Sequence, residues 1–166
     1  MTTIDRFSAY DIETGVDENG LGRWSWIHVG SNEKRTRIAV AYQPHTPART
    51  SKGGAVFEQH QCFFKQRGDF QSPRTIFYKH LVSLIIIWRG RSKEIVLCGD
   101  FNEHVYTGRL AHCLAQSDIL MSEQCLQTNK KRLPPTFVTG LQPINAVLAT
   151  EDVDTINASI LKKLAE

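Results

Sequence analysis

A long apolar helix followed by a short apolar strand is the feature that most limits the folds open to this chain. Ser72 and Pro73 predict a capped helix start, with proline at the first helical position. Apolar residues recur every three or four positions from there to Trp88, namely Ile76, Phe77, Leu81, Leu84, Ile85 and Trp88, and Val82, Ile86 and Ile87 widen the stripe. We therefore expect this helix to be covered on more than one side. The strand predicted over Glu94 to Cys98 is apolar enough to lie inside a sandwich or a parallel sheet.

Strands are predicted on both sides of a helical middle, and this order favours an α/β (α+β) layered fold. Strand patterns cover Trp24–Val29, Thr36–Tyr42, Pro143–Thr150 and Val153–Leu161. Helical spacing covers Ala55–Arg67, Thr107–Leu120 and Ser122–Gln127. In the second strand Ile38, Val40 and Tyr42 share one face and two alanines share the other. We expect that strand to be buried on both faces.

Length and composition indicate one domain in a reducing, intracellular compartment. A chain of 166 residues can bury one sizeable core, and a net charge of +3 selects no partner by itself. The cysteines form no CxxC pair, which argues against a zinc ribbon or a disulfide scaffold; they are Cys62, Cys98, Cys113 and Cys125. No apolar run approaches the roughly 20 residues of a membrane span, and the first ten residues lack a signal core. We expect a soluble protein.

The segment Gly99-Asp100-Phe101-Asn102 directly follows the predicted buried strand. Asp100 and Asn102 are two residues apart at the carboxyl end of that strand, so both side chains can face one spot. A carboxylate there can orient or deprotonate a water, and an amide can donate to a phosphoryl oxygen. The alternative is a purely structural turn, in which the Asp side chain accepts a backbone hydrogen bond.

This tetrapeptide and two further segments resemble the endonuclease/exonuclease/phosphatase family, which has the DNase I-like fold. Residues 99–102 are similar to the end of the family's signature strand. Arg37 to Pro44 is similar to a strand that ends in an active-site histidine or tyrosine, which implies a site role for Tyr42. Pro143 to Thr150 is similar to a later strand with an apolar-Asp-apolar pattern, in which Asn145 replaces the aspartate. Residues 22–26 and 103–110 resemble, in amino-acid sequence, the endonuclease-like reading frames of mobile elements.

The resemblance extends from about Gly22 to Thr150 and implies an incomplete DNase I-like layered β-sandwich with flanking helices. Residues 1–21 are then an N-terminal extension without an assigned structure, and residues 22–166 are a partial endonuclease/exonuclease/phosphatase-like domain. An incomplete sandwich exposes sheet edges and apolar faces. We therefore expect a protein partner or a second copy of the chain to cover them.

The resemblance also implies that the catalytic machinery is incomplete. Family members carry a metal-binding glutamate at the end of their second strand, and neither Glu13 nor Glu18 follows enough chain to take that place. They also need an Asp-His pair after the last strands, whereas the last histidine here is His112. We therefore expect no metal site, no cofactor and no turnover, and the remnant catalytic positions are Asp100, Asn102, Tyr42 and Asn145. The alternative is an active phosphodiesterase that uses Mg²⁺ on DNA, with the missing groups supplied by a partner or by residues beyond the termini.

Basic residues around the Tyr42 strand are candidates for binding nucleic acid without hydrolysis, and they are Arg35, Arg37, Arg49 and Lys52. We call these four the basic rim. A metal site that uses Glu103, His104 and His112 is a weaker candidate, because the HExxH spacing is absent. Residues Lys130 to Arg132 are a second weaker candidate, for binding phosphate. The alternative is that these basic side chains are only exposed to solvent and bind nothing.

Overall fold

The computed structural model describes residues 11–30, 35–47, 55–91, 94–124, 135 and 142–153. Within them the strands are β1 (Asp11–Val16), β2 (Trp24–Gly30), β3 (Arg35–Tyr42), β4 (Glu94–Asp100), β5 (Met121–Glu123) and β6 (Asn145–Thr150). The helices are α1 (Ala55–Gln66), α2 (Pro73–Arg89) and α3 (Arg109–Gln116). The predicted mixed α/β class is confirmed.

The strands form one six-stranded sheet in the order β1-β2-β3-β4-β6-β5. Neighbours pair antiparallel except β3 and β4, which are parallel. A parallel pair needs a long crossover connection, and α1 and α2 lie in the chain between these two strands. The carboxyl ends of β3 and β4 therefore lie at the same edge of the sheet.

The core lies between α2 and one face of the sheet. Ser72 caps α2, since its side chain accepts a hydrogen bond from the Thr75 N–H, and Pro73 opens the helix as predicted. The helix buries Phe77, Leu81, Ile85 and Trp88. Facing them are buried side chains of β3, β4 and β6, namely Ala39, Ala41, Ile95, Leu97 and Leu148. Burial of these large side chains is the main contribution to the stability of this layer.

The opposite face of the sheet exposes apolar side chains, so the prediction that β3 is buried on both faces is wrong. We call this surface the open face and define it by Val16, Ile27, Ile38, Val40 and Val147. Val40 is 56% exposed and Val16 is 69% exposed. Strand alternation places Ile38 and Val40 on one side of β3 correctly, but among the described residues nothing covers that side.

Helix α2 is likewise open on one flank, since Ile86 and Ile87 are each about half exposed. The helix is nevertheless covered on more than one side, as expected, because it packs on the sheet and also contacts α1 through Phe64 and His80 and α3 through Thr75 and Arg109. None of the three helices has the length and apolar content needed to cross a membrane. Cys62, Cys98 and Cys113 are free thiols, and Cys125 lies outside the described residues.

Three local predictions differ from the structure. Helix α3 is shorter than the predicted Thr107–Leu120, because Asp118 takes a left-handed conformation at φ 55° and the chain turns there. The helix predicted over Ser122–Gln127 is wrong at Ser122 and Glu123, which pair with β6 as part of β5, whereas Gln124 is helical and residues 125–127 lie outside the described residues. The strand predicted over Val153–Leu161 lies outside the described residues except for Val153, which is not in a strand.

Strand β1 lies within the 21 residues that the sequence leaves without an assigned structure. It pairs with β2 from Asp11 opposite Gly30 to Val16 opposite Ser25. The loop from Asp17 to Arg23 joins the two strands, and its Asn19-Gly20 step forms a turn, with Gly20 at φ 68° and its N–H donating to the Asp17 carbonyl at 2.9 Å.

Candidate functional site

Three of the predicted site residues lie in one row across adjacent strands. Asp100 is opposite Tyr42 of β3 on one side and opposite Asn145 of β6 on the other. Tyr42 and Asn145 are exposed and Asp100 is half-buried. Because side chains alternate along a strand, Tyr42 points to the same side of β3 as Val40. The row of Tyr42, Asp100 and Asn145 is therefore the polar end of the open face, and we call it the strand-end row.

Asn102 joins the strand-end row through a turn, which is the structural alternative considered for this motif. The Asn102 N–H donates to Asp100 Oδ1 at 3.0 Å, and Asn102 is left-handed at φ 47°. Its side-chain amide donates from Nδ2 to the Gln43 carbonyl oxygen at 2.6 Å. The Asn102 amide therefore ties the end of β4 to the end of β3.

Two backbone hydrogen bonds stabilise the same edge of the sheet. The Gln43 N–H donates to the Asp100 carbonyl at 2.9 Å, and the Phe101 N–H donates to the Ile144 carbonyl at 2.9 Å. Phe101 itself is buried in the core. The position of Asp100 is thus fixed by the ends of β3 and β6 and by the core beneath it.

A cluster of Arg74, Tyr78 and Glu103 supports this turn from the helix side. Arg74 donates to the Asn102 carbonyl at 3.1 Å and to Glu103 Oε2 at 3.2 Å. The Tyr78 hydroxyl donates to the same Oε2 at 2.5 Å. The other carboxylate oxygen, Oε1, accepts the Leu110 N–H in the first turn of α3 at 2.7 Å. Glu103 therefore joins α2, α3 and the turn after β4.

Burial raises the pKa of the Tyr78 hydroxyl, and its hydrogen bond to Glu103 raises it further, while Gln43 and Arg74 oppose the rise. The Gln43 side chain is fully buried, and neither of its amide atoms has a hydrogen-bond partner among the described residues. Sequence reasoning missed Arg74 and Tyr78. The available signal was a pair of polar residues four apart on an otherwise apolar helix.

The metal site considered for Glu103, His104 and His112 is not assembled. Glu103 is held by Arg74 and Tyr78. His104 Nδ1 accepts the backbone N–H groups of Tyr106 and Thr107, each at 3.3 Å, so this imidazole serves as a turn cap. Across the described ranges, no group of three or more His, Cys, Asp or Glu side chains is placed to hold a metal ion.

The basic rim is not brought together with Tyr42 in the part of the chain that is described. Arg35 begins β3 and Tyr42 ends it, so the two lie at opposite ends of an eight-residue strand. Arg37 is buried on the α2 side with Ala39 and Ala41, because it has their strand parity. Arg49 and Lys52 lie outside the described residues, as do Lys130 to Arg132.

Glu13 lies opposite His28 in the register of β1 and β2, and its carboxylate is 3.5 Å from His28 Nδ1. His28 is buried on the α2 side of the sheet, whereas the strand-end row continues the open face. Glu13 therefore does not supply a carboxylate to the strand-end row.

Replacing Tyr78 by phenylalanine tests whether the support cluster stabilises the fold. The change removes a buried donor to a carboxylate, so we expect the free energy of unfolding to fall by about 1.5–3 kcal/mol. Urea denaturation measures this difference. Tyr42→Phe is the matched control, because that side chain is exposed, and it should leave stability unchanged. Equal effects of the two substitutions would show that the Tyr78 hydroxyl stabilises nothing.

No protein-family model and no curated protein sequence matches this chain. Among solved structures, the 3' phosphatase NExo from Neisseria, bound to a product DNA hairpin, matches with a TM-score of 0.50 and 13% identity over 85% of this chain. The human Nocturnin catalytic domain with bound sulfate matches at 0.46 and 15% over 77%. A β-hairpin deletion mutant of beta toxin from Staphylococcus aureus matches at 0.41 and 11% over 86%.

The similarity to NExo shows that the chain shares the fold of that structure, the DNase I-like fold. The fold is partial: the chain spans 58% of the NExo chain and 40% of the Nocturnin chain. At these identities the comparison shows the fold alone, and the activity of this chain is a separate question.

Proposed function

We propose that this chain is a catalytically silent DNase I-like domain that acts as a binding subunit, with its open face docked on another polypeptide in a larger assembly. The open face carries the proposal. Five large apolar side chains lie on one face of the sheet, on the adjacent strands β1, β2 and β3 and on β6 beyond β4, and each is more than a third exposed. Isolated exposed apolar residues are ordinary, but a contiguous patch favours association.

The groups of the strand-end row that could bind a metal ion support the proposed lack of catalytic activity. Asp100 is the carboxylate of this row, and its neighbours Asn145 and Asn102 carry neutral amides. The next carboxylate along the chain, Glu103, is held by Arg74, Tyr78 and the Leu110 N–H. Mg²⁺ is bound in proteins through carboxylates together with substrate phosphates. Asp100 already accepts the Asn102 N–H, and no second described carboxylate faces it, so we derive no catalytic step from this row.

Placing a charge in the open face tests the docking role. The purified chain should self-associate or bind a hydrophobic dye at about ten micromolar, because it buries the open face on whatever apolar surface is present. Val40→Lys should shift the mass measured by light scattering to that of a monomer and reduce dye binding severalfold. Leu120→Lys is the matched control, since Leu120 is exposed outside the open face, and it should change neither quantity. A monodisperse wild-type monomer that binds no dye would contradict the proposal.

The second candidate function is a Mg²⁺-dependent phosphodiesterase completed by a partner. The observation that favours it is the alignment of Tyr42, Asp100 and Asn145 in one row at an open edge. Cleavage of supercoiled plasmid with Mg²⁺ or Mn²⁺, measured beside an Asp100→Ala control, separates the two functions. Cleavage that is lost in the control would establish the enzyme, whereas no cleavage from a stable oligomer would support the binding subunit.

A further inference from the structure

A cleft of about 460 Å³ lies between the edge strand β1 and helix α2, on the side of the sheet opposite the open face. Three indoles line it, those of Trp24, Trp26 and Trp88, and Leu84 and Ile87 of α2 form its outer wall. A volume of this size is in the range of small-molecule sites, which are mostly apolar with a few placed polar groups.

Gly15 shapes this cleft. It lies opposite Trp26 in the register of β1 and β2, and a Cβ at this position would be 2.5 Å from the Trp26 ring. The missing side chain therefore allows the indole to lie across the edge strand. This arrangement gives the cleft an aromatic floor.

Arg37 lies in the wall of the cleft, and its hydrogen bonding is incomplete. Its side chain is only 3% exposed, and the guanidinium stacks 4.2 Å from the Trp26 ring centroid and 5.1 Å from that of Trp88. Nη2 is 3.2 Å from His28 Nδ1, whereas Nε is buried without a partner. Glu13 Oε2 is 3.9 Å from Nη2, which is beyond hydrogen-bond distance, and that side chain is 61% exposed.

A buried cation with an unpaired N–H is unfavourable, and an anion bound at Nε would remove that cost. Burial also lowers the pKa of Arg37, because the guanidinium has lost hydration, and the charge of Glu13 opposes this shift only in part. The observation that points to a ligand is thus the unpaired, buried Nε of a residue that lines the cleft.

The charges around the cleft select the kind of anion. Asp17 is already paired with Arg23, which leaves Glu13 and Glu18 against Arg37 and Arg91 among the lining residues. These charges cancel, so the lining offers a polyphosphate or nucleic acid no net attraction, whereas the single guanidinium of Arg37 can pair with one negative charge. A planar carboxylate matches the edge of a guanidinium, and the three indoles match a flat apolar body.

We propose that the cleft binds a small monocarboxylic acid with an aromatic or branched apolar body, whose carboxylate accepts a hydrogen bond from Arg37 Nε. This site is separate from the strand-end row and meets the open face at Val16, which lines the cleft as well. The tests below act on Arg37 and Glu13, which do not belong to the open face, so failure of this proposal can be distinguished from failure of the docking function.

Titration with benzoate tests the site directly. In the ¹⁵N-labelled full chain, the Arg37 Nε–H resonance should shift saturably with benzoate, and the neutral analogue benzamide should bind about tenfold or more weakly, which is about 1.4 kcal/mol. Arg37→Lys keeps the positive charge and removes Nε, and it should abolish the preference for benzoate. Equal responses to benzoate and benzamide would overturn the proposal.

Glu13→Gln provides a second test that does not disturb a buried group. Glu13 is the carboxylate nearest to Arg37 in the cleft, so its removal should tighten benzoate binding severalfold with little change in stability. If Glu13→Gln instead destabilises the chain and leaves the affinity for benzoate unchanged, Glu13 is the functional partner of Arg37 and no ligand is needed. Glu151→Gln, which removes the same charge from an exposed acid outside the cleft, is the matched control.

Discussion

Replacing Asp17 by asparagine is expected to lower the free energy of unfolding by about 3–5 kcal/mol. Asp17 and Arg23 form a two-pronged ion pair in which Nε donates to Oδ2 and Nη2 donates to Oδ1, each at 2.6 Å. Their side chains are 1% and 0% exposed. Removing the carboxylate charge leaves a buried guanidinium without its counter-ion, and this costs far more than the loss of a surface pair.

The pair also joins three parts of the fold. The Arg23 guanidinium lies 4.2 Å from the Trp24 ring centroid and 5.4 Å from that of Phe64 in α1, and Nη1 is 3.0 Å from His80 Nδ1 in α2. The Arg23 carbonyl accepts the Tyr42 N–H at 2.8 Å, so a disturbance here reaches the end of β3. We therefore expect Asp17→Asn to loosen the strand-end row as well as the β1–β2 loop.

The same pair has a defined pH dependence. Burial raises the pKa of Asp17, but the hydrogen bond and the charge of Arg23 outweigh burial and lower it below its usual value. An acid whose pKa is lower in the folded state contributes stability that is complete above its unfolded pKa of about 3.9. That contribution is lost as the pH falls through the folded pKa, so wild type and Asp17→Asn should converge in stability at low pH.

Urea unfolding of both proteins at pH 7 measures the effect. The double variant Asp17→Asn/Arg23→Met is the informative control, because it removes the stranded charge and should recover most of the loss. Glu18→Gln, at an exposed neighbouring acid, should change nothing measurable. A loss of less than about 1 kcal/mol for Asp17→Asn would mean that water reaches the guanidinium.

The sequence predicts α2 and β4 to within two residues at each end, because their signals are local and redundant. Ser72 and Pro73 mark the start of the helix and an apolar stripe runs through it, while a run of apolar residues identifies the strand. The residues of the strand-end row could also be predicted from the sequence. Tyr42, Asp100 and Asn145 each follow or begin a recognisable strand, and the family resemblance aligned them.

Strand β1 carries a mixed local signal, since its strand-forming residues Ile12, Thr14 and Val16 alternate with residues that strands disfavour. It contains two acids and Gly15, residue types that are depleted in strands. Pairing with β2 and the Trp26 ring that lies over Gly15 fix its position, and both are long-range effects. The cluster of Arg74, Tyr78 and Glu103 could not be predicted locally either, because Arg74 and Glu103 are far apart in sequence.

The two errors in β3 have one origin. Alternation shows which residues share a face, but it does not show what covers that face. Arg37 has the parity of Ala39 and Ala41, which would have placed it on the α2 side, yet its charge suggested a solvent-exposed rim. Val40 has the opposite parity, and its apolar side chain suggested burial that the described residues do not provide.

Gly99→Ala is expected to cost about 3 kcal/mol, at the upper end of the range for overpacking. Gly99 lies opposite Ala41 in the parallel pair of β3 and β4. An added Cβ would overlap the Ala41 carbonyl oxygen and lie 3.1 Å from both the Ala41 carbonyl carbon and the Phe101 ring. Because the obstacle is backbone rather than a flexible side chain, the strands must separate just before Asp100.

Amide hydrogen exchange locates the damage and urea unfolding measures it. The Gln43 N–H, which donates to the Asp100 carbonyl, should lose protection in Gly99→Ala more than amides at the far end of β4. Gly90→Ala is the matched control, since Gly90 is helical at φ −68° and an added Cβ would be 3.4 Å from the Ile87 carbonyl oxygen, so stability should hold or rise slightly. Equal stability of the two variants would mean that β3 and β4 do not approach this closely. In that case the register that aligns Tyr42 with Asp100, on which the strand-end row depends, would be wrong.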